Sequence, residues 1–275
     1  MLVNLFLLIV AAKEALSCAR HDNSQRHPHL GKRQTTTNPG RAVTDWRYEA
    51  SFNWGLLNPN YALCQQGTQQ SPIALGLNQG ISQAHQPYFE GYTGNVTGNY
   101  FNWGYGPAFT LSHPEDEYTG LPSMTFDNET LYLRGWHLHA PADHSVGGDR
   151  SKAELHMVHV NEEGEEGAVL AIRLDPGASP SPFFAQLPPM IGFNDTTQIM
   201  GVDINPRLAL GGVNEFNEFW TYQGSLTSPP CKEGIRWFIA RSILFTSVDQ
   251  MKEILGASTY SARAEQEVWL HQINV

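Results

Sequence analysis

Apolar and polar positions alternate over long stretches of this chain, most cleanly over residues 129 to 140. In an extended strand Leu131, Leu133, Gly135, His137 and His139 share one face, while Tyr132, Arg134, Trp136 and Leu138 share the other. Residues 153 to 160, 167 to 174 and 235 to 245 are further apolar runs, rich in β-branched side chains and of strand length. Helical spacing is scarce. Residues 246 to 255 form the best short candidate, and 181 to 192 is interrupted by prolines. No internal repeat and no linker follows residue 45. The pattern predicts one mainly β domain with short helices over 45–275, a span that a single core serves well.

Composition agrees: 17 prolines and 25 glycines among 275 residues suit a sheet protein with many turns. The formal charge of −10 and the pI near 5.5 argue against nucleic acid or an anionic membrane surface as partners, because both would repel the chain. The first 44 residues depart from the strand pattern. Leu2 to Ala12 form an apolar run too short to span a bilayer, and Ser17-Cys18-Ala19 offers small residues for cleavage, so 1–19 reads as a signal peptide. Leu16-Ser17-Cys18 also loosely fits a bacterial lipoprotein box. Residues 20–44 are polar and aperiodic, a flexible leader or processed propeptide. Within it Lys32-Arg33 offers a dibasic processing site with a mature start near Gln34, or is simply two solvated cations. Three sequons, at Asn95, Asn128 and Asn194, offer glycosylation sites that fit a secreted chain.

The chemistry concentrates in three histidines. His137 and His139 lie two apart in a strand, on the same face and ~7 Å apart along the backbone. His156 follows 17 residues after His139, room for a turn and a return strand that closes a triangle of imidazoles. Three neutral nitrogen ligands with a fourth position left open are the arrangement of a catalytic zinc, since structural zinc sites are usually closed by four protein ligands. Glu154, two before His156, falls on the same strand face, where its carboxylate can accept the other ring N–H of a liganding histidine. A polar face of an exposed strand would also place histidines at i and i+2, but both segments are apolar around them. A cupin-type metalloprotein, oxidase or storage protein, uses a similar pair; residues 145 to 156 lack the glycine- and proline-bearing second motif it needs. A serine hydrolase is disfavoured by the absence of a Gly-x-Ser-x-Gly elbow.

The stretch Trp136 to His144 with Ala153 to His159 resembles the metal-binding core of the alpha-class carbonic anhydrases. Trp220 to Cys231, followed by Glu233-Gly234-Ile235-Arg236-Trp237, resembles that family's active-site loop, and Trp46-Arg47-Tyr48 with Gln70-Ser71-Pro72-Ile73 its N-terminal landmarks. The blocks run in the family's order over roughly residues 45 to 275 and are closest in kind to secreted, fungal- or bacterial-type members. The resemblance implies a central, mostly antiparallel twisted sheet with Zn2+ at the base of a conical cleft. It implies zinc-dependent reversible hydration of carbon dioxide to bicarbonate and a proton, through hydroxide generated at the metal. Residue by residue it implies Thr227 as the group that orients the hydroxide, Asp143 in the place of the family's glutamate as acceptor from Thr227, and Tyr48 as a water-organising side chain. Val158, Val169, Leu226 and Trp237 match its apolar substrate pocket, with Ser228 beside the product; ordinary core packing is the alternative for the apolar four. It implies a disulfide between Cys64 and Cys231, the pair left if Cys18 departs with the signal. Two departures stand out. Gly135 replaces a glutamine that often supports the first histidine. The segment Asn102-Trp103-Gly104-Tyr105-Gly106-Pro107 lacks the family's shuttle histidine, leaving Tyr105 or His113 as weak substitutes. Some relatives keep the fold but lose a ligand and act as catalytically silent extracellular binding modules; all three histidines are present here.

Overall fold

The computed structural model describes residues 45–275. The expected signal peptide, the leader with Lys32-Arg33, and Cys18 lie outside the described residues. An 11-stranded twisted sheet organises the molecule. We label the eight strands of its spine β1 (Val96–Asn102), β2 (Pro107–Leu111), β3 (Glu129–His139), β4 (Ala153–Val160), β5 (Glu166–Gly177), β6 (Gln198–Ile204), β7 (Phe219–Ser225) and β8 (Glu233–Ala240). Their spatial order is β6-β1-β2-β3-β4-β5-β8-β7. Every neighbouring pair along that path is antiparallel except β5 with β8, so the mostly antiparallel sheet implied by the resemblance is observed. The expected run 235 to 245 is two strands, β8 and Leu244–Ser247, the second pairing parallel with the end of β5. The helix expected at 246 to 255 is Val248–Ala257. Ser247 caps it by accepting from the Gln250 backbone N–H at 3.1 Å, while the Gln250 side chain accepts from the Ser247 N–H at 3.2 Å.

The two faces of the sheet do different work. One face buries the larger core, including Trp136, Leu138, Leu155, Met157, Leu170, Ile172, Phe183 and Phe238. The other carries His137, His139 and His156 and a second apolar cluster containing Val158, Val169, Trp220, Tyr222, Leu226 and Trp237. A strict two-residue alternation puts Leu131 and Leu133 on the histidine face. In the structure both belong to the larger core with Trp136 and Leu138. The register between β3 and β4 shifts between Leu133 and Gly135, a bulge that reverses the phase at Arg134. Arg134 there donates to Glu166 at 2.8 Å. Gly135 has a packing reason: a Cβ on it would lie 2.3 Å from the Phe109 carbonyl on β2, so the family's glutamine has no room at this position.

A third cluster of aromatic side chains, Trp46, Tyr48, Trp54, Phe101, Trp103 and Tyr105, packs beside the histidines and includes Cys64 and Cys231. These cysteines are joined by a disulfide with Cα atoms 5.1 Å apart, the pairing the resemblance implied. The bridge ties the N-terminal segment to the loop that follows β7.

Candidate metal centre

Strand register builds the site. His137 on β3 stands opposite His156 on β4, and His139 stands opposite Glu154. One step along, Val158 on β4 is opposite Val169 on β5, and Val169 is opposite Trp237 on β8. Residues 154, 156 and 158 share a face because side chains alternate, so the carboxylate, the third histidine and the first apolar wall residue point the same way.

The three histidines converge: one nitrogen from each lies within 4.8 Å of the others, and all three residues are buried. Their hydrogen bonds fix which nitrogens remain. His139 Nδ1 donates to the Ser261 carbonyl at 2.6 Å, leaving Nε2 as the lone-pair atom. His156 Nε2 donates to Glu154 Oε1 at 2.8 Å, leaving Nδ1. His137 Nε2 lies 3.0 Å from His139 Nε2. Burial drives the His139 pKa down, against the pull of Asp143, and so favours the neutral form that binds metal. Burial pushes Glu154 up, but the facing His144, then the hydrogen bonds from His144 and His156, hold its carboxyl well below the usual range.

Behind the histidines a buried relay holds Glu154. His144 donates its Nδ1–H to Glu154 Oε1 at 2.6 Å and its backbone N–H to Oε2 at 2.9 Å. His144 Nε2 then lies 2.8 Å from the Tyr222 hydroxyl, which is 2.9 Å from Ser71 Oγ. Both carboxylate oxygens are therefore occupied. His144, Ser261 and Tyr222 were not singled out by sequence reasoning. His144 stands next to Asp143 in the motif, but its partner lies on another strand and Ser261 is over 100 positions away.

A cavity opens on the three histidines, lined also by Tyr48, Val158, Val169, Leu226, Thr227, Ser228, Trp237 and Trp103. All the residues expected around the metal thus meet there except Asp143 and Glu154, which lie behind the wall. Asp143 is fully buried. Its Oδ1 accepts from the Arg263 backbone N–H at 2.8 Å, and its Oδ2 lies 3.5 Å from His139 Nδ1 without a hydrogen-bond partner. Arg263, buried over the Trp54 ring, donates to the carbonyls of Ser71 at 2.6 Å and Cys64 at 3.0 Å, which anchors the segment at Asp143. Burial lowers the Arg263 pKa to about 10, so it stays charged at neutral pH. Tyr105 is buried against Trp46 and Tyr48 and does not line the cavity. His113 lies away from it, packed on Tyr118 with Nδ1 donating to the Pro114 carbonyl at 2.7 Å. Asn95, Asn128 and Asn194 are all exposed.

Comparison with known proteins agrees with this architecture. A family model described as eukaryotic-type carbonic anhydrase matches residues 49–273. A carbonic anhydrase of Pectobacterium atrosepticum is 28% identical over 219 residues, spanning 76% of this chain and 81% of the relative. Dioscorin DB3S of Dioscorea polystachya is 29% identical over 205 residues, spanning 72% of this chain and 71% of the relative. The solved alpha-carbonic anhydrase of Photobacterium profundum superposes with a TM-score of 0.68 at 25% identity, covering 84% of this chain and 98% of that one. The chain belongs to the eukaryotic-type, or alpha, carbonic anhydrase family, and membership supports hydration of carbon dioxide as its reaction.

Proposed function

We propose that the protein is a zinc-dependent carbonic anhydrase in which His137, His139 and His156 hold the metal and carbon dioxide is hydrated to bicarbonate and a proton beside it. The observation that carries this reading is the convergence of three buried imidazole nitrogens on one cavity, two of them with their tautomers set by hydrogen bonds from the opposite ring edge. The donor set fits zinc: three imidazoles, no thiolate, and a cavity on the remaining side. Zinc held there supplies Lewis acidity that brings the pKa of water to about 7, the value known for carbonic anhydrases.

The remaining roles belong to this chain's own side chains. Glu154 holds His156 and is itself held by His144, so the third ligand is aimed before any metal arrives. Thr227, on the cavity wall, orients the attacking oxygen. Asp143 is the acceptor assigned to the Thr227 hydroxyl: its buried Oδ2 takes no hydrogen bond in the structure, and a carboxylate one methylene shorter than the family's glutamate needs a bridging water or a closer backbone to reach it. Val158, Val169, Leu226 and Trp237 form an apolar wall suited to carbon dioxide, which offers little to hydrogen-bond, and Ser228 serves the bicarbonate product. Tyr48 orders water at the cavity edge. The Cys64–Cys231 bridge, the N-terminal apolar run and three exposed sequon asparagines support export to an oxidising compartment and glycosylation there. No helix among the described residues is long and apolar enough to cross a membrane.

A second reading is a catalytically silent extracellular binding module on the same fold, kept because the relatives include a protein named Dioscorin DB3S rather than carbonic anhydrase. Hydration of carbon dioxide by the purified, metal-analysed protein separates the two. One zinc per chain with rapid hydration supports the enzyme, and bound zinc without hydration supports the module.

A further inference from the structure

The segment that lacks the family's shuttle histidine is not simply empty of function. Its Trp103 stands edge-on to two of the three histidines, 5.2 Å from the His137 ring and 5.4 Å from the His139 ring. The indole is fixed. Its Nε1–H donates to the Leu138 carbonyl at 3.2 Å, Tyr105 packs behind it at 4.8 Å, and 8% of the residue is exposed. The turn that carries it is fixed as well. Asn102 donates to the carbonyls of Ile191 at 2.7 Å and Ala257 at 2.8 Å and accepts from the Gly104 N–H at 2.9 Å, while the Trp103 N–H reaches the Gly106 carbonyl at 3.1 Å. Gly104 has φ of 95°, a conformation that suits glycine, and a Cβ on Gly106 would sit 2.8 Å from the Leu138 carbonyl. On the far side Trp237 stands 4.9 Å from the His156 ring. Between these walls the cavity measures about 10 Å³. A site for a ring-bearing ligand usually offers roughly 300–1,000 Å³, and a single water needs roughly 10–15 Å³.

We propose that Trp103 sets the size limit of this site, walling it over His137 and His139 so that a ligand carrying an aryl ring is disfavoured at the metal relative to the same binding group without the ring. The inference rests on the zinc reading above and adds a specificity-determining residue to it. A small side chain at 103 would remove the wall over both histidines while leaving the His139 bond to Ser261 and the His156 bond to Glu154 in place. The backbone hydrogen bonds of the turn would remain.

Formate and benzoate test this, since each presents one carboxylate to a metal and they differ by the ring. Zinc-loaded protein is titrated with each by calorimetry, for the unaltered chain and for Trp103→Ala and Trp103→Leu, with zinc measured in every sample. The unaltered chain should bind formate at least about tenfold more tightly than benzoate, and the variants should shift that ratio toward benzoate by about tenfold or more. Equal affinity for the two anions in the unaltered chain overturns the inference without any variant. A ratio unmoved in a folded variant overturns it too. Protein that holds no zinc overturns the metal assignment instead, so the two failures are distinguishable.

Discussion

At the scale of single residues, the site depends on one carboxylate with two obligations. Glu154 accepts from His156, an expected ligand, and from His144 behind it, and neither bond reaches solvent. Glu154→Ala leaves His144 and His156 without their acceptor and should lower zinc affinity about 10–100-fold, measured by competition with a chelator. Thr227→Ala should behave differently. Zinc stoichiometry stays at one while kcat/KM for hydration falls about 10–100-fold, because orientation is lost and coordination is not. The triad and Glu154 were legible in the sequence because period-two spacing puts 137 with 139 and 154 with 156. The partners of those rings were not, since Ser261 and Tyr222 arrive from distant segments and no local pattern marks them. Asp143 was legible only through the motif around it, and its bond to Arg263 depends on a contact 120 positions apart. Trp103 was visible only as the absence of a histidine; its role as a wall needs the fold.

At the scale of elements, β4 coincides with its expected span: all eight of its residues are buried, and polar Lys152 and Asn161 bound it. The bulge in β3 was hidden, because nothing in Leu133-Arg134-Gly135 marks a skipped partner and the phase reverses only when β4 is laid beside it. β4 also carries His159, fully buried, with Nδ1 donating to the Met157 carbonyl at 3.1 Å and Nε2 at 2.5 Å from the Tyr92 hydroxyl. Burial lowers its pKa from 6.5 to about 3. The unfolded chain therefore takes up this proton below pH 6.5 while the folded chain does not until near pH 3. Stability is fully present above 6.5 and falls as pH drops through that window, by on the order of 4–5 kcal/mol from this group alone. Calorimetric Tm should accordingly decline between pH 6.5 and 4 less steeply in His159→Gln than in the unaltered chain; equal slopes would remove His159 from the account. The disulfide acts over a longer range, closing 167 positions of sequence. In the chain-entropy account a loop of that size contributes about 5 kcal/mol, so Cys64→Ser with Cys231→Ser should lower Tm by roughly 10–20 °C. A shift within a degree or two would mean the loop after β7 is held by Arg263 and its neighbours instead.

At the scale of the whole molecule, a net charge of −10 keeps nucleic acid away and leaves a small neutral substrate to reach the site by diffusion. The product proton has a harder exit. Apart from the three histidines, Tyr48 is the one titratable side chain on the cavity among the described residues, and Tyr105 and His113 lie off it. Proton export should then lean on buffer. kcat should rise with added imidazole while kcat/KM stays level, because export follows the hydration step that kcat/KM reports. A kcat indifferent to buffer would require a relay other than the cavity lining. The fold class was legible from the strand pattern, whereas the cleft was not, because it is made by register across β3, β4, β5 and β8 together with a loop and an N-terminal aromatic cluster. All of these converge on one claim, that three histidines hold a zinc at which carbon dioxide is hydrated. Its most direct test is the hydration rate of chelator-stripped protein titrated with zinc. The rate should start near the uncatalysed background, rise in proportion to added metal and level off at one zinc per chain. Full hydration before any zinc is added, or a site filled at one zinc per chain with no hydration, would contradict it.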